Sequence, residues 1–184
     1  MTSKLKVEQI AHTNNVSAMT IDSSGNVSVA KNLLTPIRPA FSVQSGRSSA
    51  MQDNNCFSQS YASPTVILNQ GSHFKTSGTN DGKFVAPVAG LYYFVFQGFT
   101  SDSSNQNSSG TTRMHFTKNG DSIGNLLGRH YYDHHASNDH ANFSAHEIAL
   151  LAANDAIGVR ISARYFYSSS NYDGNPTFSG YFIG

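Results

Sequence analysis

Asn80-Asp81-Gly82-Lys83-Phe84-Val85-Ala86-Pro87-Val88-Ala89-Gly90-Leu91-Tyr92-Tyr93-Phe94-Val95-Phe96-Gln97-Gly98-Phe99 is the stretch on which the fold turns. Asn80-Asp81-Gly82 is a tight-turn signal, because Asn and Gly tolerate the positive φ that such turns require. Lys83 to Ala86 is then extended, and Pro87 ends the run by removing a ladder donor. After Gly90, Leu91 to Phe96 is dense in aromatic and β-branched residues. Period-two alternation sends Leu91, Tyr93 and Val95 to one face and Tyr92, Phe94 and Phe96 to the other. Neither face is polar, so the strand is expected to be covered twice: by a core, and by another sheet or another subunit. Double burial of this kind points to assembly rather than to a catalytic cleft.

Working outward, every periodic segment from Ala40 onward has the pattern of a strand. Ala40 to Val43 opens the domain, and Thr65 to Asn69 alternates around Val66 and Leu68. Thr112 to Lys118 carries Met114 and Phe116 inward and turns at Asn119-Gly120-Asp121. Ala141 to Leu151 is extended; the helix-like run His146 to Ala153 lacks a capping box and lies between strands, so it too is expected to be strand. In Gly158 to Tyr165, Val159, Ile161, Ala163 and Tyr165 point inward and Arg160, Ser162 and Arg164 outward. Thr177 to Ile183 closes the chain. Many short strands, regular turns and no helix imply an all-β sandwich or jelly roll.

Residues 1 to about 35 differ. Lys4 to Ile10, Met19 to Asp22 and Val27 to Val29 alternate but are too short and too sparse in apolar residues to build a core alone. Such a segment is disordered, docked on another protein or wound with copies of itself, and the regular alternation leads us to expect docking or winding. Leu34-Thr35-Pro36-Ile37-Arg38-Pro39 is an extended linker. The division is therefore a leader at 1–37 and a strand-built domain at 38–184.

At 184 residues with net charge +1 and only 12% charged side chains, the chain carries no electrostatic footprint for nucleic acid. No run approaches the ~18 apolar residues of a membrane span, so no membrane insertion is expected. The N-terminus lacks the apolar core of a signal peptide. The single cysteine, Cys56, leaves no internal disulfide and suits synthesis in a reducing cytosol. No Gly-x-Ser-x-Gly, phosphate loop or paired carboxylate motif is present, so no catalytic residues and no enzyme are expected.

The segment from about Arg38 to Gly184 resembles the globular head domain of the C1q/tumour-necrosis-factor family. The resemblance rests on Pro39 to Val43, on Asn69-Gln70-Gly71-Ser72-His73-Phe74, and on Gly82-Lys83-Phe84 with Pro87, Gly90, Tyr92 and Phe94. Lys118-Asn119-Gly120 and Thr177 to Tyr181 complete it. It implies a ten-stranded jelly-roll β-sandwich forming homotrimers through an aromatic face, with core and interface shared among Phe41, Tyr92, Tyr93, Phe94, Phe96, Phe178 and Tyr181. The chain departs from animal members in having no collagen-like Gly-X-Y stalk. Its first residues instead look like the leader of bacteriophage tail-fibre and virion proteins, at Ser3 to Ile10 and Thr20 to Val27. That resemblance implies attachment to other virion proteins through Lys4, Leu5, Val7, Ile10, Ile21 and Val27.

His130-Tyr131-Tyr132-Asp133-His134-His135-Ala136-Ser137-Asn138-Asp139-His140 is the densest polar constellation. Imidazole and carboxylate at this density are candidate ligands for zinc or another transition metal, from His130, Asp133, His134, His135, Asp139 and His140. No zinc-motif spacing occurs, and adjacent residues in a strand point opposite ways. The competing expectation is an exposed loop contacting a host-surface glycan or protein, and no cofactor is otherwise implied. The polar loops Ser101 to Gly110 and Ser168 to Asn175 are expected either to form a distal rim or to be solvated connectors. Together these features lead to a trimeric, adhesive phage virion protein, made in the host cytoplasm and used as a fibre or receptor-binding tip. A capsid decoration or cement protein, and a cellular C1q-like soluble lectin, are the alternatives.

Overall fold

The computed structural model describes residues 9–11, 17–29, 38–46, 55–101, 110–120, 126–134, 140–162, 166–167 and 175–184. Contacts divide the chain into two units, Met1–Ile37 and Arg38–Gly184.

The first unit is a meander of β1 (Gln9–Ala11), β2 (Ser17–Ile21) and β3 (Val27–Val29). Its β2–β3 turn is held by Asp22, whose carboxylate accepts from the Ser24 and Asn26 backbone N–H groups at 2.9 and 2.8 Å. Asn26 Nδ2 donates to the same carboxylate at 2.8 Å, and these hydrogen bonds hold the exposed Asp22 carboxyl below its ordinary pKa. Across the hairpin Ile21 pairs with Val27, and Val27 is 58% exposed.

The second unit is a sandwich of two antiparallel sheets. Its strands are β4 (Ala40–Gln44), β5 (Thr65–Gln70), β6 (Phe74–Lys75), β7 (Lys83–Val85), β8 (Gly90–Ser101), β9 (Gly110–Lys118) and β10 (Leu126–His134). β11 (His140–Leu151), β12 (Ala156–Ser162), β13 (Phe166–Tyr167) and β14 (Thr177–Phe182) follow. One sheet runs β11-β8-β14-β4-β5 and the other β10-β9-β12-β7-β6, and the two-residue β13 pairs with the end of β8. Two five-strand ladders give the ten strands of a jelly roll. Of the run His146 to Ala153, His146 to Leu151 is strand, as its position between strands implies, and Ala152 and Ala153 lie beyond the end of β11.

An aromatic core lies between the sheets. Phe178 is fully buried, and its ring lies 4.7 Å from Phe41, 5.7 Å from Phe57, 6.4 Å from Phe74, and 6.1 Å from both Phe94 and Phe116. Phe41 stacks on Phe84 at 5.0 Å and on Phe74 at 5.4 Å, tying the sheets together. Beside these rings Gly180 leaves necessary room: a Cβ there would stand 2.6 Å from Phe94 Cδ1 and 2.8 Å from Phe41 Cε1.

Several motif residues close turns. Asn69 forms a reciprocal amide clasp, donating to the Phe74 carbonyl at 2.8 Å and accepting from its N–H at 2.9 Å. Asn119 bonds the Ala156 N–H at 2.8 Å and the Asp155 carboxylate at 2.7 Å. Burial opposes ionisation of Asp155, but bonds from Lys118, Asn119 and the Ala152 N–H outweigh it and lower its pKa.

Two expectations are corrected. A helix exists: α1 (Gln59–Ala62), one turn long. Its first N–H is taken by both Asp81 oxygens, at 3.0 and 2.9 Å. A carboxylate far away in sequence thus satisfies a donor that a helix start leaves orphaned. Second, the alternation of Thr65 to Asn69 produces no buried face. β5 is an edge strand whose register shifts opposite Ser42/Val43, and Val66, Ile67 and Leu68 are all exposed.

Truncating the central ring, Phe178→Ala, is expected to destabilise the domain by about 3–5 kcal/mol. Gly180→Ala is expected to cost roughly 1–3 kcal/mol through overpacking. Urea denaturation of both variants checks this; wild-type midpoints would contradict the account.

Candidate functional site

The strand that decides the fold also supplies the most unusual surface. On β8, Tyr92, Phe94 and Phe96 are fully buried in the core, whereas Leu91, Tyr93 and Val95 face away from it. Register extends this outer face sideways. Ile148 pairs with Tyr93, which pairs on its other side with Tyr181, while Leu150 pairs with Leu91. Exposure is 60% for Ile148, 73% for Leu150 and 51% for Tyr181. Large apolar side chains gathered on one sheet face, over a core that is already filled, are what an interaction surface looks like.

One polar seam crosses it. The Tyr93 hydroxyl meets His146 Nδ1 at 2.5 Å and the Ser144 hydroxyl meets His146 Nε2 at 2.9 Å. The Tyr93 ring lies 5.8 Å from His146 and 5.4 Å from Tyr181. Toward β4, Ser179 Oγ donates to Ser42 Oγ at 2.9 Å.

The candidate core and interface residues therefore sort into two groups. Phe41, Tyr92, Phe94, Phe96 and Phe178 are buried within their own chain. Tyr93, half-buried, and Tyr181, exposed, lie on the outer face. Ile148 and Leu150 join them and were not singled out from the sequence. Their signal was present: the run Ile148-Ala149-Leu150-Leu151 is apolar at every position, and with Ala149 and Leu151 buried and Ile148 and Leu150 not, this end of β11 is apolar on both faces.

The histidine-rich stretch is not a single loop. His130, Asp133 and His134 fall within β10, which pairs with β9, and His140 begins β11. His135 and Asp139 lie outside the described residues. The His130 ring meets Phe116 edge-on at 5.9 Å, and its Nε2 is buried without a hydrogen-bond partner. Gly128 keeps room beside it for Glu147, whose Oε2 occupies the space a Cβ at 128 would need. Burial lowers the His130 pKa, the Glu147 carboxylate pulls it back up, and His146 lowers it further. Among the described residues no three His, Cys, Asp or Glu side chains converge on a metal-sized site. Of the leader residues, Lys4, Leu5 and Val7 lie outside the described residues, Ile10 is in β1, and Ile21 and Val27 are exposed.

The C1q domain family matches residues 40–183. A crystal structure of murine APRIL at pH 5.0 is similar at 14% identity, covering 79% of this chain and 99% of that one, with a TM-score of 0.55. The globular domain of zebrafish complement 1qA is 17% identical, covering 79% of this chain and 98% of its own, with a TM-score of 0.49. At such identity the likeness to the APRIL structure is one of fold. No curated protein matches the chain by sequence.

The half-buried His130 and His73 set a pH dependence. His130 is lowered by burial, and His73 by burial and by Lys75, so the folded state favours their neutral forms. The unfolded chain takes up protons first as pH falls through the ordinary histidine value of about 6.5, and stability drops below it. The urea midpoint is expected to fall between pH 7.5 and 5.5, and His130→Gln is expected to reduce that fall. An equal fall in both proteins would contradict the assignment to His130.

Proposed function

The chain belongs to the C1q domain family, and we propose that it is a non-enzymatic adhesive head that works as a homotrimer. The observation that carries this is the outer face of the β11-β8-β14 sheet, where Ile148, Leu150, Leu91 and Tyr181 are exposed above a complete core. Burying a side chain of this size stabilises by about 1.5–3 kcal/mol, so three such faces meeting about an axis have a strong drive to close. A ring closed by threefold rotation uses every copy of the face and leaves none to polymerise. Three heads then turn weak single-site contacts into avidity without any bond-making chemistry.

The setting we propose is a phage particle, on which the heads act as a fibre or receptor-binding tip. The support is the leader, whose Thr20 to Val27 phrase is the Asp22-braced hairpin of the first unit. Lys4, Leu5, Val7, Ile10, Ile21 and Val27 would make the attachment, with Ile21 and Val27 paired and exposed on that hairpin. A capsid decoration protein is the second reading, because a closed threefold head suits a particle site of the same symmetry. A cellular C1q-like soluble lectin accounts equally for the family match over residues 40–183, which bears on the head alone.

Light scattering is expected to give three chains per particle for the wild type. The variants Tyr181→Asp and Ile148→Asp are expected to remain folded but to give one chain, since both sites are exposed in the single chain. A monomeric wild type at micromolar concentration would end the trimer reading. Mass spectrometry of purified phage particles tests the setting: presence of the chain supports the virion reading, and absence leaves the cellular one.

A further inference from the structure

We propose that the cleft at the polar end of the β8–β11 face binds a neutral saccharide; this rests on the adhesive reading above and gives it a site and a ligand class. The cleft encloses about 440 Å³ and is lined by Gln97, Asn142, Asn175, Ser144, Thr177 and Phe99. That volume is in the range of small-molecule sites and accommodates one or two sugar rings.

Register brings these residues together. Ser144 pairs with Gln97, which pairs on its other side with Thr177, and one step along Asn142 pairs with Phe99. Gln97, Ser144 and Thr177 share the face that carries Tyr93 and lie two steps along the strand from it, roughly 13 Å from the Ile148–Tyr93–Tyr181 row, with Asn142 and Phe99 one step further. The face therefore changes character along its length, from apolar at Leu150, Leu91 and Ile148 to amide and hydroxyl at Gln97, Asn142 and Ser144. Subunits closing on the apolar rows leave the polar end wet and gather three clefts at one end of the assembly.

The lining chemistry selects the ligand. Each carboxamide offers two N–H donors and a carbonyl acceptor, and each hydroxyl both donates and accepts. Vicinal sugar hydroxyls present the same mixed pattern. Gln97, Asn142, Ser144 and Asn175 are exposed to an incoming ligand, and the half-buried Phe99 offers an apolar surface to the C–H face of a pyranose. No Lys, Arg, Asp, Glu or His is among the described lining residues. His146, beside Ser144, has both ring nitrogens engaged by Ser144 and Tyr93. A described lining without charge has nothing to offset the desolvation of a phosphate or a carboxylate, so a neutral sugar is favoured over a sialylated or phosphorylated one.

The test is saturation-transfer NMR on the full chain with lactose, maltose and N,N′-diacetylchitobiose, and with 3′-sialyllactose as the charged counterpart. At least one neutral sugar is expected to bind with a Kd of about 1 mM, typical of a single shallow site that relies on avidity. Gln97→Ala and Asn142→Ala are each expected to weaken that binding roughly tenfold, the loss of about one well-made hydrogen bond, with the trimer unchanged. No binding of any neutral sugar, tighter binding of 3′-sialyllactose, or unchanged affinity in both variants would overturn the proposal. These failures leave the adhesive reading standing, because that reading falls separately, on a monomeric wild type.

Discussion

The close packing of Phe41, Phe94 and Phe178 over Gly180 is the constraint on which the rest of the domain depends. A side chain at position 180 would drive into both Phe94 and Phe41, and those rings bridge to Phe74, Phe84 and Phe116. Ring pairs of this kind add about 0.5–1.5 kcal/mol each beyond the area they bury. Because interiors are packed to crystal-like density, this core has no room for more. Every further apolar residue on β8 and β11 must find another home. Among the described residues, Ile148 and Leu150 stay largely exposed and Leu91 partly so.

That surplus is why a reading of β8 as doubly apolar led to assembly. It also separates two groups of residues that composition alone cannot separate. Tyr92 and Tyr93 are neighbours of the same type, yet one is fully buried with its hydroxyl donated to the Val88 carbonyl at 2.8 Å. The other faces outward and bonds His146. Alternation makes this division legible in the sequence, because strand period is fixed by backbone geometry.

Other features were not legible, and the reasons are physical. Helix α1 depends on Asp81, more than twenty residues downstream and placed by the turn before β7, so no local pattern announces it. The exposure of Val66, Ile67 and Leu68 follows from the edge position of β5 and its register shift, which are properties of the sheet rather than of the segment. The histidine-rich stretch was divided between β10 and β11 because its pairing with β9 and β8 outweighs its polar composition. The Gln97–Asn142 cleft combines residues from three strands, and only the register shows that they are neighbours. Asn69 and Asn119, by contrast, stand in recognisable motifs, and both close turns with their side-chain amides.

The core carries the structure, and in the proposed reading the apolar rows serve assembly while the polar end and the loops serve recognition. The central claim of that reading is that Tyr93, Tyr181, Ile148 and Leu150 are buried in the working protein although they are partly or largely open in the single chain. A crystal structure of the full-length protein tests this most directly. The account predicts a threefold axis with all four side chains packed against two neighbouring copies. A face left in solvent, or copies joined through the opposite β10-β9-β12-β7-β6 sheet instead, would contradict it.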